Sequence, residues 1–318
     1  MRGVKQFILE VVKFIPFAGL VYLLLLLFWG DIMPEMFHIN LNYRVGSYGH
    51  LFSRINEVKN THDVDVLFLG SSHTYRGFDT RIFKKEGLKT FNLGSSAQTP
   101  SQSYIFLERY LKQLNPKVII YDTYPFTFES DGIESTLDII SNSKIDRAII
   151  KLAFEQNHIK VYNTLIYGLY SSLLNKNSSF VEPQTNVEDT YIPGGYVDRE
   201  IEYFKNVEYD KKEWDLSARQ LKYFEKVLQL IKENKIQLIL VQAPVTKGLY
   251  TSYTNNEVFD QKMKSYGEYY NFNEILQLDD SLHFYDVDHL NQNGVEIFDK
   301  AVIDLLFKEK LISNSKQE

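Results

Sequence analysis

"VDVLFLGSSHTYRGFDT", residues 64–80, is the stretch from which the rest of the chain can be read. An apolar run from Val64 to Leu69 stops at Gly70; two serines follow, then His73 and Arg76. A short run of this kind fits a strand buried on both faces, as in a parallel sheet. A serine just past such a strand stands at the sheet's carboxyl edge, beside the first amides of the next helix, which can stabilise an oxyanion. Glycine and serine are also ordinary turn residues, so taken alone the stretch reads more simply as a strand closed by a polar turn.

Working outward, "KTFNLG", "KVIIYDTYP", "IQLILVQAP" and "LHFYD" read as further strands, separated by amphipathic segments. Thr99-Pro100-Ser101-Gln102 opens one helix with a capping threonine, a proline at the first helical position and a glutamine three residues on. Tyr104, Leu107, Leu111 and Leu114 form its apolar stripe. Leu221, Phe224, Leu228 and Ile231 repeat the pattern near 215–233, and Ile297, Phe298, Ala301, Leu305 and Leu306 repeat it on the last helix. Strand–helix alternation of this sort predicts an α/β fold of three layers, a parallel sheet with helices on both faces. Functional groups then collect at the carboxyl ends of the strands. Residues 130–212 break the rhythm, helical at first and loop-like through "NKNSSFVEPQTNVEDTYIPGGYVDRE"; they read as an insertion into one domain spanning 36–318.

The chain has 318 residues and a net charge of −6, with no basic cluster after the N-terminal region, which argues against a nucleic-acid partner. It has no cysteine, so disulfides, thiolate metal sites and a cysteine nucleophile are excluded. Phe14 to Gly30, "FIPFAGLVYLLLLLFWG", carries no charge and approaches the roughly 17–25 residues that span a bilayer. Arg2, Lys5 and Lys13 precede it, and Asp31 and Glu35 follow. The expectation is a transmembrane anchor within residues 1–35, a single pass in the cell membrane with a cytoplasmic N-terminus and the remaining chain outside. "FWGDIM" makes a poor signal-peptide cleavage site.

A second constellation stands near the other end. In "FYDVDHLNQNGVEIF", Asp286 precedes His289 by three residues, ahead of the final helix. A serine hydroxyl needs a base to take its proton, and a histidine needs a carboxylate to fix its tautomer and stabilise its cation. Asp286 can reach His289 locally. Asp288, one step away, is expected to point elsewhere. The alternative for this loop is a capping turn serving the last helix.

Together the two blocks resemble the SGNH (GDSL-like) hydrolase superfamily, with its serine after the first strand and a D-x-x-H pair before the last helix. The resemblance implies a flavodoxin-like parallel sheet. It makes Ser72 the nucleophile, in "GSS" where the family has G-D-S, His289 the base and Asp286 its carboxylate. The Ser72 amide would form part of the oxyanion hole. "FNLGSSAQTP" is similar to the second block, whose amide donor falls at Ala97 by spacing or at Gly94 by residue type. The family's G-x-N-D has no counterpart in "VIIYDTYPF", leaving Thr123 or Tyr124 as substitutes for its side-chain donor. The "GSSH", "YP" and "DHLN" pieces behind a membrane anchor resemble the alginate O-acetyltransferase-like and teichoic acid D-alanyl transfer proteins. That likeness implies transfer from an acyl donor, passed on by a membrane-bound acyltransferase, to a cell-surface glycan acceptor. Arg76 and Tyr124 become candidate substrate contacts, Arg76 for an anionic acceptor such as a uronate or phosphate, or else as a structural salt bridge. The competing class is an inert SGNH-like module that binds glycan or scaffolds a membrane assembly; Ser72–His289 separation tells the two apart.

No H-E-x-x-H, G-x-x-x-x-G-K or G-x-G-x-x-G occurs, so zinc-protease, P-loop and dinucleotide sites are not expected. "DVDHLNQNG" has Leu290 at the fifth position of a would-be calcium loop and its glycine three residues late. No cofactor or metal is expected.

Overall fold

The computed structural model describes residues 2–47, 49–205 and 207–312. At its centre is a five-stranded sheet of β1 (Val66–Leu69), β2 (Thr90–Asn92), β3 (Val118–Asp122), β7 (Gln237–Gln242) and β8 (Tyr269–Asn271). The order is β2-β1-β3-β7-β8 and every pairing is parallel. This is the flavodoxin-like order, and its switch point is the crevice between the carboxyl ends of β1 and β3. Each residue of β1 and β3 is buried, as strands covered on both faces require.

One face of the sheet packs on helices Pro100–Leu114 and Ala218–Glu233, the other on Gln292–Lys308 and the short helices after β1. The capping box at Thr99 is present, with the Thr99 amide donating to Gln102 Oε1 at 3.1 Å. On the last helix the buried face is Val295, Phe298, Val302, Ile303 and Leu306, while Ile297, expected on the stripe, is 40% exposed and lies off that face.

Two expectations are corrected. "LHFYD" is not the last strand: Asp279 caps a helical turn at Asp280–His283 by accepting from the Ser281 and Leu282 amides. The fifth strand is β8, whose three residues are too short to show a period. The stretch read as loop holds an antiparallel sheet of β4 (Thr185–Asn186), β5 (Asp189–Ile192) and β6 (Tyr196–Arg199). Gly194 and Gly195, at φ 97° and 92°, make its tight turn. The rest of the 130–212 stretch includes helices Ile133–Asn142, Arg147–Gln156 and Ile159–Leu173.

A helix of 31 residues, Arg2–Ile32, precedes the sheet. Among the described residues it is the one helix long and apolar enough to cross a membrane. Its end is tied to the inserted helices, because Asp31 accepts from Tyr167 (2.6 Å), Tyr170 (3.0 Å) and Lys176 (2.5 Å).

Candidate active site

β1 delivers Ser72 to the switch point. Ser71 caps the short helix Ser72–Gly77, its side chain accepting from the His73 amide. Gly70 makes the approach possible: a Cβ there would lie 2.3 Å from Thr74 Oγ1 and 3.0 Å from Asp122 Cβ. Asn92 at the end of β2 fastens the same helix, donating to Thr74 O at 2.6 Å and accepting from the Gly94 amide at 3.1 Å.

His289 arrives on the loop before the last helix. Asp286 Oδ1 accepts from the amides of Asp288 (3.0 Å) and His289 (2.8 Å), folding the loop into a tight turn. Asn291 anchors it, donating to Glu202 O, Leu282 O and Phe284 O and accepting from the Gly294 amide. In the sequence only the cap was visible, an Asn three residues ahead of a Gly at a helix start; its three carbonyl partners lie outside the local pattern.

These turns bring three predicted residues into line. His289 Nε2 is 2.8 Å from Ser72 Oγ, and His289 Nδ1 is 2.9 Å from Asp286 Oδ2. Asp288 does not point elsewhere as expected. Its Oδ1 lies 3.1 Å from His289 Nδ1 and its Oδ2 accepts from the Tyr124 hydroxyl at 3.1 Å, because the turn wraps both carboxylates round one ring edge. His73 lies beneath, stacked on Tyr124 at 3.8 Å between centroids and 3.5 Å from Asp288 through Nε2.

Burial alone would lower the His289 pKa, but the hydrogen bonds and charges of Asp286 and Asp288 outweigh it and push the ring up to about 10. Burial works to raise Asp288, yet His289 and His73 hold it far below the usual carboxylate range. Asp122, buried under the site, is pushed up to about 6 by desolvation. His73, Asp288 and His289 offer ligating atoms within 4.8 Å of one another. Both His289 ring nitrogens are already engaged, so a metal bound there would displace Ser72 or a carboxylate.

The remaining predicted residues separate. The Gly94 amide is taken by Asn92, and a Cβ at Gly94 would lie 2.9 Å from Ser71 O; this glycine serves close packing, not the oxyanion hole. Ala97, at φ 47°, lines a cavity of about 270 Å³ together with Ser72, Tyr124, Phe126, Tyr285 and His289. Thr123 is fully buried with its amide and hydroxyl both donating to Val241 O, and the Tyr124 hydroxyl is given to Asp288. Neither replaces the absent asparagine. Arg76 lines the cavity, but its guanidinium is bound at both ends by Asp189, at 2.8 and 2.7 Å.

No family model and no curated protein matches the chain. Solved structures do. One, provisionally described as an acylhydrolase from Bacteroides fragilis, is 11% identical over 84% of this chain and 99% of that one, with a TM-score of 0.42. A second, provisionally described as a platelet activating factor from Streptococcus pneumonia, is 11% identical over 80% and 94%, with a TM-score of 0.43. A GDSL-like lipase from Bacteroides thetaiotaomicron is 11% identical over 83% and 100%, with a TM-score of 0.39. At these scores the likeness adds nothing to what the chain's own strand order and side-chain geometry say.

Proposed function

We infer that the chain is a serine-dependent acyl-transfer enzyme of SGNH type, an O-acyltransferase or esterase whose substrate is a cell-surface polysaccharide. The observation that carries this reading is the continuous line Asp286–His289–Ser72, with contacts of 2.9 and 2.8 Å. An inert module has no need to hold a serine hydroxyl against a half-buried imidazole, so the same line weighs against that alternative.

The chemistry follows from the geometry. Neutral His289 takes the Ser72 proton at Nε2 as Oγ attacks the acyl carbonyl of the donor, while Asp286 and Asp288 stabilise the cation that forms. The oxyanion is met by the Ser72 and Ala97 amides. The carbonyl re-forms, the donor's leaving oxygen departs with the proton from Nε2, and Ser72 keeps the acyl group as an ester. An acceptor hydroxyl then gives its proton to His289 and attacks the ester, His289 returns that proton to the departing Ser72 Oγ, and the acceptor carries the acyl group away; water in its place gives hydrolysis. The apolar helix Arg2–Ile32 is read as the anchor holding this cycle at the outer membrane face, with Arg2, Lys5 and Lys13 on the cytoplasmic side.

The test is a burst assay with p-nitrophenyl acetate together with mass spectrometry of surface polysaccharide. The expected result is a stoichiometric burst and an ester on the glycan, both lost in Ser72→Ala. A burst equal in wild type and Ser72→Ala removes the nucleophile.

A further inference from the structure

The cavity at Ser72 continues past its own walls. Tyr75, Arg76, Ser96 and Glu134 line it and also line a second cavity of about 400 Å³. The far side of that second cavity comes from outside the central sheet: Gly46, Gly49, His50, Glu182 and the β5–β6 residues Asp189 and Arg199. These walls are held firmly. Fully buried Arg54 donates to Gly49 O at 2.9 Å and to Gly195 O at 3.0 and 2.9 Å. Glu182 accepts from the Ser53 amide and hydroxyl, at 2.8 and 2.6 Å. Gly49 sits at φ 58°, where a Cβ would strike the Tyr75 ring at 2.6 Å. A preformed cavity with a few fixed polar groups, adjoining a candidate nucleophile, has the features of a ligand site.

The charges of its lining restrict what can enter. Two guanidiniums, Arg76 and Arg199, stand against four carboxylates, Glu134, Glu182, Glu188 and Asp189. Arg76 is spent on Asp189, and Arg199 pairs with Glu188 and lies 3.8 Å from Asp189. Among the described wall residues each cationic side chain faces a carboxylate, His50 Nδ1 lying 3.7 Å from Glu182, and Arg199 Nε is buried without a hydrogen-bond partner. The Glu134 carboxylate, exposed at the junction of the two cavities, makes no hydrogen bond or ion pair with any described residue. Hydroxyl groups are well served: Tyr75 and Ser96 present a hydroxyl pair 3.2 Å apart, and the Arg–carboxylate pairs offer fixed acceptors and donors.

We propose that the second cavity is the acceptor subsite and that it takes a polyhydroxylated sugar unit without negative charge, rejecting uronates and phosphodiesters. The proposal rests on the reading of Ser72 as acyl carrier and adds the class of acceptor. It replaces the expectation that Arg76 receives an anion. Like charges brought together at a binding surface are strongly disfavoured, and Glu134 supplies that repulsion where the acceptor must pass.

The test is calorimetric binding to the full chain in detergent at low salt, with uronate trimers of galacto, gluco and manno configuration and the same trimers with carboxyls reduced to alcohols. At least one reduced trimer is expected to bind about tenfold or more tighter than its uronate. Glu134→Lys should cut that ratio by about tenfold, and Glu134→Gln by less. Uronates bound as tightly as their reduced partners, a ratio unmoved in Glu134→Lys, or no binding by any reduced trimer each overturns the proposal. The Ser72-dependent burst is read separately on the same preparation. A burst with no neutral preference overturns the subsite alone. A neutral preference without a burst upholds the subsite as a sugar site and overturns Ser72 as acyl carrier.

Discussion

Asp288→Asn tests how His289 is held. In the native chain two carboxylates share the ring's Nδ1 edge, Asp286 at 2.9 Å and Asp288 at 3.1 Å. Together they overcome burial and raise the imidazole from its ordinary 6.5 to about 10. At about 1.36 kcal/mol per pH unit, that is roughly 5 kcal/mol in favour of the charged ring. A general base must be neutral, so most of the enzyme is in the wrong protonation state at pH 7. The expected profile is a kcat/KM that rises about tenfold per pH unit from pH 7 and levels off near pH 10. Asparagine keeps the shape of residue 288 and removes its charge, which at this range moves a pKa by about 1–3 units. The rising limb should therefore shift to lower pH by that amount.

Stability should respond with the matching sign. A raised folded pKa contributes stability that is complete below about 6.5 and lost as pH rises through about 10. Asp288→Asn should therefore lower Tm more at pH 6 than at pH 10. The assay is p-nitrophenyl acetate cleavage from pH 6 to 10.5, with Ser72→Ala subtracted as background, alongside thermal melts at the two pH values. A wild-type limb centred near 6.5, or a limb that Asp288→Asn leaves in place, refutes the two-carboxylate account.

Gly70→Ala forces a Cβ against Thr74 Oγ1 and Asp122; about 1–3 kcal/mol of stability should be lost, with kcat falling because Ser72 is displaced, and an unchanged urea midpoint would contradict this. Asn291→Ala removes the donor shared among three carbonyls and the cap on Gly294. A loss of about 1–2 kcal/mol is expected, with kcat reduced more than KM is raised, read from melts and steady-state kinetics. If helix Arg2–Ile32 is the anchor, the chain stays in the membrane pellet after alkaline carbonate extraction, and release into the supernatant refutes the anchor.

What the sequence disclosed follows from what is local. β1 and β3 were legible because strands buried on both faces are almost wholly apolar, β7 because its middle is the run Leu238–Val241, and the helix at Pro100 because its cap is written in four adjacent residues. β8 was not, since "YYN" carries no period and a three-residue edge strand is fixed by its neighbour β7. The β4–β6 sheet hid inside a polar stretch whose strands are two to four residues long. At the site, Ser72, His289 and Asp286 were legible because each role restricts residue type and spacing. Asp288 was missed because side-chain direction depends on the turn, and the turn depends on Asp286 Oδ1 capping two amides at once. Gly94 drew attention as a glycine, yet its reason for being one is Ser71 O pressing against its backbone.

The cavities also connect the two ends of the proposal. Ser47, Asn186 and Val187 line both the acceptor cavity and a third of about 670 Å³, which reaches Gly30 and Met33 at the end of the apolar helix. Asp31, beside them, is tied to Tyr167, Tyr170 and Lys176, so the helix end is fixed relative to these walls. Three adjoining cavities thus lie between the end of helix Arg2–Ile32 and Ser72, the one at the helix end and the acceptor cavity sharing Ser47 and Val187, the acceptor cavity and the one at Ser72 sharing Glu134. A soluble esterase needs only the last of these three spaces. On the proposed function, a polymer emerging beside a membrane would need a track along which successive sugar units pass the nucleophile. The 130–212 stretch supplies half of the acceptor cavity's lining while contributing no strand to the central sheet, so on the proposed function its place would be in that track.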